Sequence, residues 1–373
     1  VPLAYPLLAS CAFFAPNNIP VPLLQILLEK FYQVSSDLVE YRVDEYIGSL
    51  VCYSLVERSI IDDTLSIHKL LQQVIRSHLR LDSLDYLFRN QQALCGYYPY
   101  RRNKTEDLAL KNKLRIHLAA LLLGAGQALE FMQSMTARIR EEDKLEFEEM
   151  IKNYQISVVL PMLDRLADAY RDLGGAKEQK RLLEIALLIK KKFYDKDHVE
   201  MTGVLTNLAC AYGTLGDMNE QKRLLKQTLG ILERHYGREH VAVGGILNNL
   251  AVAYEALGKI NKKKQLLERA LRILEKHYGR EHVEVATILT NLANVYGALR
   301  YTDEQKRLLE RALLIKEKYY GKDHVEVAGI LNNLACAYGA LGDLKEKKQL
   351  LERALTVVEE HYGKEHIEVA TIL

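Results

Sequence analysis

From Leu163 onward apolar residues fall at gaps of three and four, and the whole pattern of apolar and polar positions returns every 42 residues, with units starting at Leu163, Leu205, Leu247, Leu289 and Leu331. Self-similarity at a fixed period of this size is the sequence signature of a stacked repeat array. In the unit at Leu289, the residues Leu289, Leu292, Ala293, Tyr296 and Leu299 form one stripe of a 3.6-residue helix, helix A. A second stripe runs through Leu308, Leu309, Ala312, Leu313 and Lys316 to Tyr319 and Tyr320, with Lys306, Arg307, Glu310 and Arg311 on the other side, and predicts helix B. Between them, Leu-Gly-Asp at Leu215–Asp217 and at Leu341–Asp343 offers a residue at ease in the left-handed conformation, then an N-cap. Tyr-Gly-Arg-Glu-His or Tyr-Gly-Lys-Asp-His separates successive units. Neither helix can bury its stripe alone, so the pairs must stack.

Upstream the period is absent. Pro2–Phe14 and Val21–Tyr32 read as apolar helices broken by Ala-Pro-Asn-Asn-Ile-Pro, and Ser36–Cys52 reads as a third. Tyr53–Ile61 and Thr64–Ile67 alternate in strand fashion around a two-residue turn at Asp62–Asp63, and a helix over His68–Leu79 follows. Three helices, a hairpin and a closing helix make a winged-helix pattern. Helical patterns at Leu81–Leu94, Leu108–Leu123, Ala125–Arg140 and Lys144–Val159 read as a connector without chemistry of its own. The expected architecture is mainly all-α: a winged-helix domain with a short β-hairpin over 1–80, a helical connector over 81–160, and an α-solenoid over 161–373.

Composition changes this picture little. The chain is 49% hydrophobic and 27% charged with a formal net charge of +2, which points to neither nucleic acid nor membrane. No run of 18 apolar residues occurs, so no membrane span is expected. The five cysteines are widely spaced with no CxxC pair, which fits free, buried thiols in a reducing, cytoplasmic compartment. The chain starts at Val1 and stops at Leu373, the first residue of a sixth unit, so the natural protein is expected to continue past both ends.

No enzymatic set emerges: there is no G-x-x-x-x-G-K-[ST], no G-x-S-x-G, no H-E-x-x-H, and no cysteine beside a plausible base. No cofactor or metal is expected within this chain. His198, His240, His282, His324 and His366 recur once per unit, and His235, His277 and His361 precede Tyr-Gly. A repeat spacing built from helices about 10 Å apart is too wide for them to share a metal, so they read as helix-end caps and packing residues. Helix B carries basic clusters, including Lys222-Arg223, Lys262-Lys263-Lys264 and Lys306-Arg307, but interleaved glutamates make them a solvated face. Over Val1–Arg80 six basic residues face eight acidic ones, a net of −2 and the wrong sign for a phosphate backbone.

The pattern Leu-x-x-Leu-Ala-x-x-Tyr-x-x-Leu-Gly followed by Leu-Leu-Glu-Arg-Ala-Leu resembles the tetratricopeptide repeat, in the 42-residue form of kinesin light chains and nephrocystin-type proteins, from Leu163 to Ile372. The first turn of helix B normally carries an alanine where the two helices touch; here Gln179, Gln221, Lys263, Gln305 and Lys347 occupy it, so a different spacing or tilt is expected. The resemblance implies that helix A lines a peptide-binding groove. Asn207, Asn249, Asn291 and Asn333 then form a ladder of amides able to pair with a peptide backbone, flanked by Asn248, Asn332 and Asn294. The alternative is that these amides bond to adjacent helices and fix the repeat spacing.

Leu7–Pro20, Gly48–Glu57 and Ser66–Arg76 resemble the winged-helix domain of STAND signalling ATPases, the NB-ARC relatives that include NOD-like innate-immune sensors. A methionine-histidine-aspartate motif in that family touches the β-phosphate of ADP; here the matching residues are Ile67, His68 and Lys69, the histidine kept and the aspartate replaced. This resemblance implies an upstream nucleotide-binding domain holding ATP or ADP, with His68 as nucleotide sensor in the parent protein only. It further implies a repeat array that senses a protein or peptide ligand and autoinhibits, and a homo-oligomer on activation. A free-standing scaffold for cargo or complex assembly is the alternative.

Overall fold

The computed structural model describes residues 4–14, 17, 19–32, 36–52, 55–59, 63–67, 71–72, 89–90, 115–117, 119–120, 122, 133 and 141–362. They fall into two compact units, Val1–Lys196 and Asp197–Leu373.

In the first unit, α1 (Ala4–Cys11), β1 (Ile19–Pro20), α2 (Val21–Tyr32), α3 (Ser36–Cys52), β2 (Val56–Ser59) and β3 (Thr64–Ile67) follow in order. The expected hairpin is present, but it belongs to a three-stranded antiparallel sheet in the order β1-β3-β2. Ile19 pairs with Leu65, and Ser59 with Thr64, so the loop between β2 and β3 has four residues, 60–63, and not two. Asp63 closes it with a left-handed φ of 46°. Arg58 ties the hairpin down through Asp44 of α3 (2.7 Å) and Asp63 (3.3 Å). Leu7, Phe14, Ile19, Leu23, Leu27, Ile47 and Leu65 are buried. The buried Gln72 amide donates to the carbonyls of Cys11, at the end of α1, and of Phe14, just past it, both at 3.0 Å. The expected helices from Leu81 to Arg140 lie largely outside the described residues.

The segment expected to end at Val159 does not end there. α4 (Glu141–Tyr154) passes through a π-helical turn, Gln155–Val159, into α5 (Leu160–Asp172). Pro161 supplies the reason: it has no N–H to donate and its ring crowds the carbonyl four residues back. The widened turn before it, in which the Leu160 N–H reaches the Gln155 carbonyl, takes up the misfit without breaking the rod. α6 (Ala176–Phe193) pairs with α5.

In the second unit a 3-10 turn, Val199–Met201, leads into α7 (Thr202–Thr214), followed by α8 (Met218–Tyr236), α9 (Val241–Ala256), α10 (Ile260–Tyr278), α11 (Val283–Ala298), α12 (Thr302–Tyr320), α13 (Val325–Ala340) and α14 (Leu344–Tyr362). Odd numbers are helices A and even numbers helices B. Each helix A from α9 on packs on its own helix B and on the helix B before it. In α12 the buried stripe runs through Leu308, Leu309, Ala312, Ile315 and Lys316, whereas Tyr319, expected on it, is 64% exposed. Lys316 is acceptable there because its ammonium reaches Glu326 at 2.9 Å.

Two recurring devices hold the units in register. Arg269, Arg311 and Arg353 each reach back to the preceding helix B, pairing with Glu233, Glu275 and Glu317 at 2.7, 2.7 and 2.6 Å. The same guanidinium donates at 2.9 Å to the carbonyl of Arg238, Arg280 or Lys322, in the loop that leads to the next helix A. The second device is histidine. His198, His240, His282 and His324 stand before a helix, and Nδ1 of each accepts a backbone N–H two residues on, at 3.2 Å. Three of these rings also stack on the tyrosine that ends the previous helix, Tyr236, Tyr278 or Tyr320, at 4.4, 4.1 and 4.6 Å.

The large residues at the first turn of helix B are explained by an exchange of size with helix A. Gln221, Gln305 and Lys347 lie over Gly213, Gly297 and Gly339, where an added Cβ would stand 2.6, 2.7 and 2.9 Å from the nearest side-chain atom. The small residue expected on helix B sits on helix A. In the pair of α9 and α10 helix A has Glu255 in place of glycine, and the buried Lys263 binds it at 2.5 Å; before Gln179 the position holds Arg171.

Gly297→Ala alone is therefore expected to push the Gln305 amide aside and to gain less than the about 1 kcal/mol by which alanine favours a helix over glycine. Adding Gln305→Ala should recover the withheld gain, with a coupling of about 0.5–3 kcal/mol in urea unfolding; additive effects would sink the exchange. His282→Ala is expected to lose about 1 kcal/mol, the usual worth of an N-cap, with His282→Asp recovering most of it.

Candidate functional site

Stacking leaves one face of each helix A from α7 on open. Along α7 it carries Gly203, Thr206, Asn207 and Cys210; along α9, Gly245, Asn248, Asn249 and Val252; along α11, Thr287, Thr290, Asn291 and Asn294; along α13, Gly329, Asn332, Asn333 and Cys336. Three or seven residues apart in this way, they share a face because the opposite positions, such as Leu247, Leu250, Ala251 and Ala253, are buried. Asn207, Asn249, Asn291 and Asn333 are half-buried, as are Asn248 and Asn332, and Asn294 is exposed. The asparagines of the sequence reading therefore do lie together along one surface.

Their bonding is not uniform. The Asn291 amide donates to the Asn248 side-chain oxygen at 2.8 Å, joining α11 to α9. The bond is made between non-equivalent positions, 43 residues apart where the repeat is 42. The threonine hydroxyls turn inward: Thr206 donates to the Thr202 carbonyl at 2.8 Å and Thr290 to that of Ala286 at 2.9 Å.

Two features of this face were legible but unread. From 203 to 214, 245 to 254, 287 to 298 and 329 to 340 there is no Asp, Glu, Lys or Arg, while α12 alone holds nine in its nineteen residues. Gly203, Gly245 and Gly329 have open space where a side chain would stand, so the helix backbone there is accessible.

The other candidates resolve differently. His68 lies outside the described residues. No group of three metal-ligating side chains occurs among the described residues. The basic cluster of helix B is partly packing: the Lys264 and Lys306 ammoniums lie 4.6 and 4.3 Å from the ring centres of Tyr296 and Tyr338 in the next helix A. Hydrogen bonding to those tyrosines holds both lysines above the ordinary lysine range. Burial of the cysteines was expected throughout. Cys11 is buried, its thiol pushed up to about 12 by burial, but Cys52 and Cys336 are exposed. No helix among the described residues is long and apolar enough to cross a membrane.

Residues 203–242, 243–284, 285–326 and 327–368 match the tetratricopeptide repeat, and residues 2–84 match a domain of unknown function, DUF7779. No curated protein matches the chain. Among solved structures, BtubC (BKLC) from P. vanneervenii is similar with a TM-score of 0.51 at 22% identity, over 66% of this chain and 92% of that one. A Signal Transduction ATPase with Numerous Domains (STAND) from Pyrococcus horikoshii, a protein with a tetratricopeptide repeat sensor, is similar with a TM-score of 0.51 at 15% identity. That likeness covers 99% of this chain and 52% of the other, so this chain spans about half its length. At such identities both are likenesses of fold. The helix pairs from Thr202 to Tyr362 are tetratricopeptide repeats stacked as a solenoid, an architecture that mediates protein–protein interaction.

Proposed function

We propose that the repeats bind an extended protein segment along the open face of helices A, and that the chain is the sensing and autoinhibitory arm of a STAND-type signalling ATPase. The observation that carries the binding reading is the uncharged face itself. A row of half-buried amides with bare backbone beside it offers donors and acceptors to another main chain, and no fixed charge to select or repel side chains. A small molecule would need convergent, dissimilar groups, which four like surfaces do not supply.

The sensor reading is supported by the likeness to the STAND protein over nearly the whole chain, and by the order α1-β1-α2-α3-β2-β3, which suits a winged helix. It assigns ATP or ADP, and assembly into an oligomer on activation, to a larger polypeptide with a nucleotide-binding domain before residue 1. Domain bounds of 1–80, 81–160 and 161–373 suit that reading, with the rod from α4 to α5 joining the last two.

The test separates groove from scaffold. A photo-crosslinking residue at Val252, on the open face, is expected to capture a partner that one at Leu314, exposed on helix B, does not. Asn249→Ala with Asn333→Ala should weaken that capture by roughly 1–3 kcal/mol, the effect of bonds left unmade in a desolvated groove, with melting unchanged. Asn291→Ala should instead lower the melting temperature, because it breaks the bond to Asn248. Equal capture from both sites would overturn the groove. For the arm, removing residues 197–373 from the longer polypeptide should raise its basal ATP hydrolysis and assembly; unchanged rates would refute autoinhibition.

A further inference from the structure

In the second unit two adjacent turns between helices A and B depart together from Gly-Asp. Where α8 and α14 are preceded by Gly-Asp, with Asp217 and Asp343 accepting the N–H groups of Glu220 and Glu346 at 3.0 and 3.1 Å, α10 is preceded by Gly258-Lys259 and α12 by Arg300-Tyr301. The substituted turns are worse as turns. Lys259 and Tyr301 cap nothing, and Arg300 takes a φ of 62° where its counterparts are glycines at 69–86°. Lys259 and Lys262 put positive charge at the start of α10, against the helix dipole, where the other turns have Asp217 and Glu220 or Asp343 and Glu346. Turn chemistry broken side by side, with one edge contact between Tyr301 and Tyr296 in return, is expected where a surface serves another purpose.

The broken turns form one patch. Lys264, from the first, lies over the Tyr296 ring, and Tyr296 meets Tyr301, from the second, edge to face at 6.2 Å. Tyr301 is 60% exposed, so that contact leaves most of its ring free. Lys259, Lys262 and Arg300 are exposed and have no carboxylate at ion-pair distance among the described residues. Glu304 is tied to Arg307 at 2.8 Å, which sets Asp303 alone against three cations without a carboxylate partner, of which Lys262 donates to Gln265 at 3.4 Å. The turns on either side carry Asp217 with Glu220 and Asp343 with Glu346, so the positive island ends after two units.

We infer that the turns 258–264 and 296–301 form a second interaction surface, separate from the groove, that docks a short acidic protein segment with an apolar residue seated on Tyr301. Unpaired cations beside an exposed tyrosine are what such a segment needs, and tyrosine and arginine are the residue types that anchor interfaces. A long polyanion, nucleic acid or an anionic bilayer, would run onto the acidic turns at both ends.

The test restores the period. Arg300→Gly with Tyr301→Asp, and separately Lys259→Asp with Lys262→Glu, are made in the full chain and titrated with a fluorescein-labelled peptide of glutamate and leucine. A single-stranded DNA and phosphatidylserine vesicles are titrated alongside. The parent is expected to bind the peptide in a salt-sensitive way, and each pair to weaken it by at least about tenfold, as loss of an interface anchor does. Both pairs should melt higher than the parent, since they regain caps and lose strain, so a folding defect cannot mimic the result. Asn249→Ala should leave this binding unchanged, which separates it from the groove. No binding by the parent, unchanged affinity in both pairs, or tighter binding of the DNA or vesicles lost by the same changes would overturn the proposal.

Discussion

A helix of the A type is apolar around more than half its circumference, and one partner covers only one side of it. α11 buries Val285, Ala286, Ile288, Leu289, Leu292, Ala293 and Val295, and this is possible only because α12 lies on one flank and α10 on the other. Two-sided burial makes every unit depend on its neighbour, which is why the pairs stack. It also dictates where function can reside. Helices B and the turns meet water and carry the charge, while helices A from α7 on keep a single open strip free of charge; in α5 the matching positions hold Asp164, Arg165 and Asp168.

Within that constraint, individual residues are exchangeable as long as volume and charge are matched across the pair. Glycine under glutamine, glycine under lysine, and glutamate against lysine are three solutions to one contact, at Gly297–Gln305, Gly339–Lys347 and Glu255–Lys263. The interior remains filled in each because a protein core tolerates compensated changes of size better than a void or an overlap. The altered turns at Lys259 and Arg300-Tyr301 are of another kind: Tyr301 gains an edge contact with Tyr296, but no side chain replaces the lost caps. The contrast separates substitutions that packing explains from those it does not.

How much of this was legible depends on the reach of the interaction. α2 and α3 begin and end at the residues expected, Val21–Tyr32 and Ser36–Cys52, because their stops are local: prolines, asparagines and serines. The Gly-Asp turns and the histidine caps were legible for the same reason. β1 was not, since two residues, one of them proline, become a strand only through Leu65 and Thr64, some 45 residues on. The run from α4 into α5 was missed because proline argues for a break, and only the widened turn reconciles the two. The shared surface of the asparagines followed from the period, and bonding of an amide to an adjacent helix, the alternative reading, is found at Asn291, which donates to Asn248. The glycines opposite Gln221, Gln305 and Lys347 were in plain view eight residues earlier; reading helices one at a time concealed them.

The arginine clamps span 31 residues of sequence each, whereas in the first unit the Gln72 and Asn90 side chains bond across 61 and 80. The difference bears on how each part can change in evolution. A clamp closes within one period, so duplicating or deleting a whole period regenerates the same contact at the new joint, and the array can lengthen or shorten by recombination without redesign. The first unit has no such freedom. Its buried amides join segments that must all be present at once, so it can drift by substitution but cannot be resized, and variation in length among descendants of this chain is expected to accumulate after residue 197.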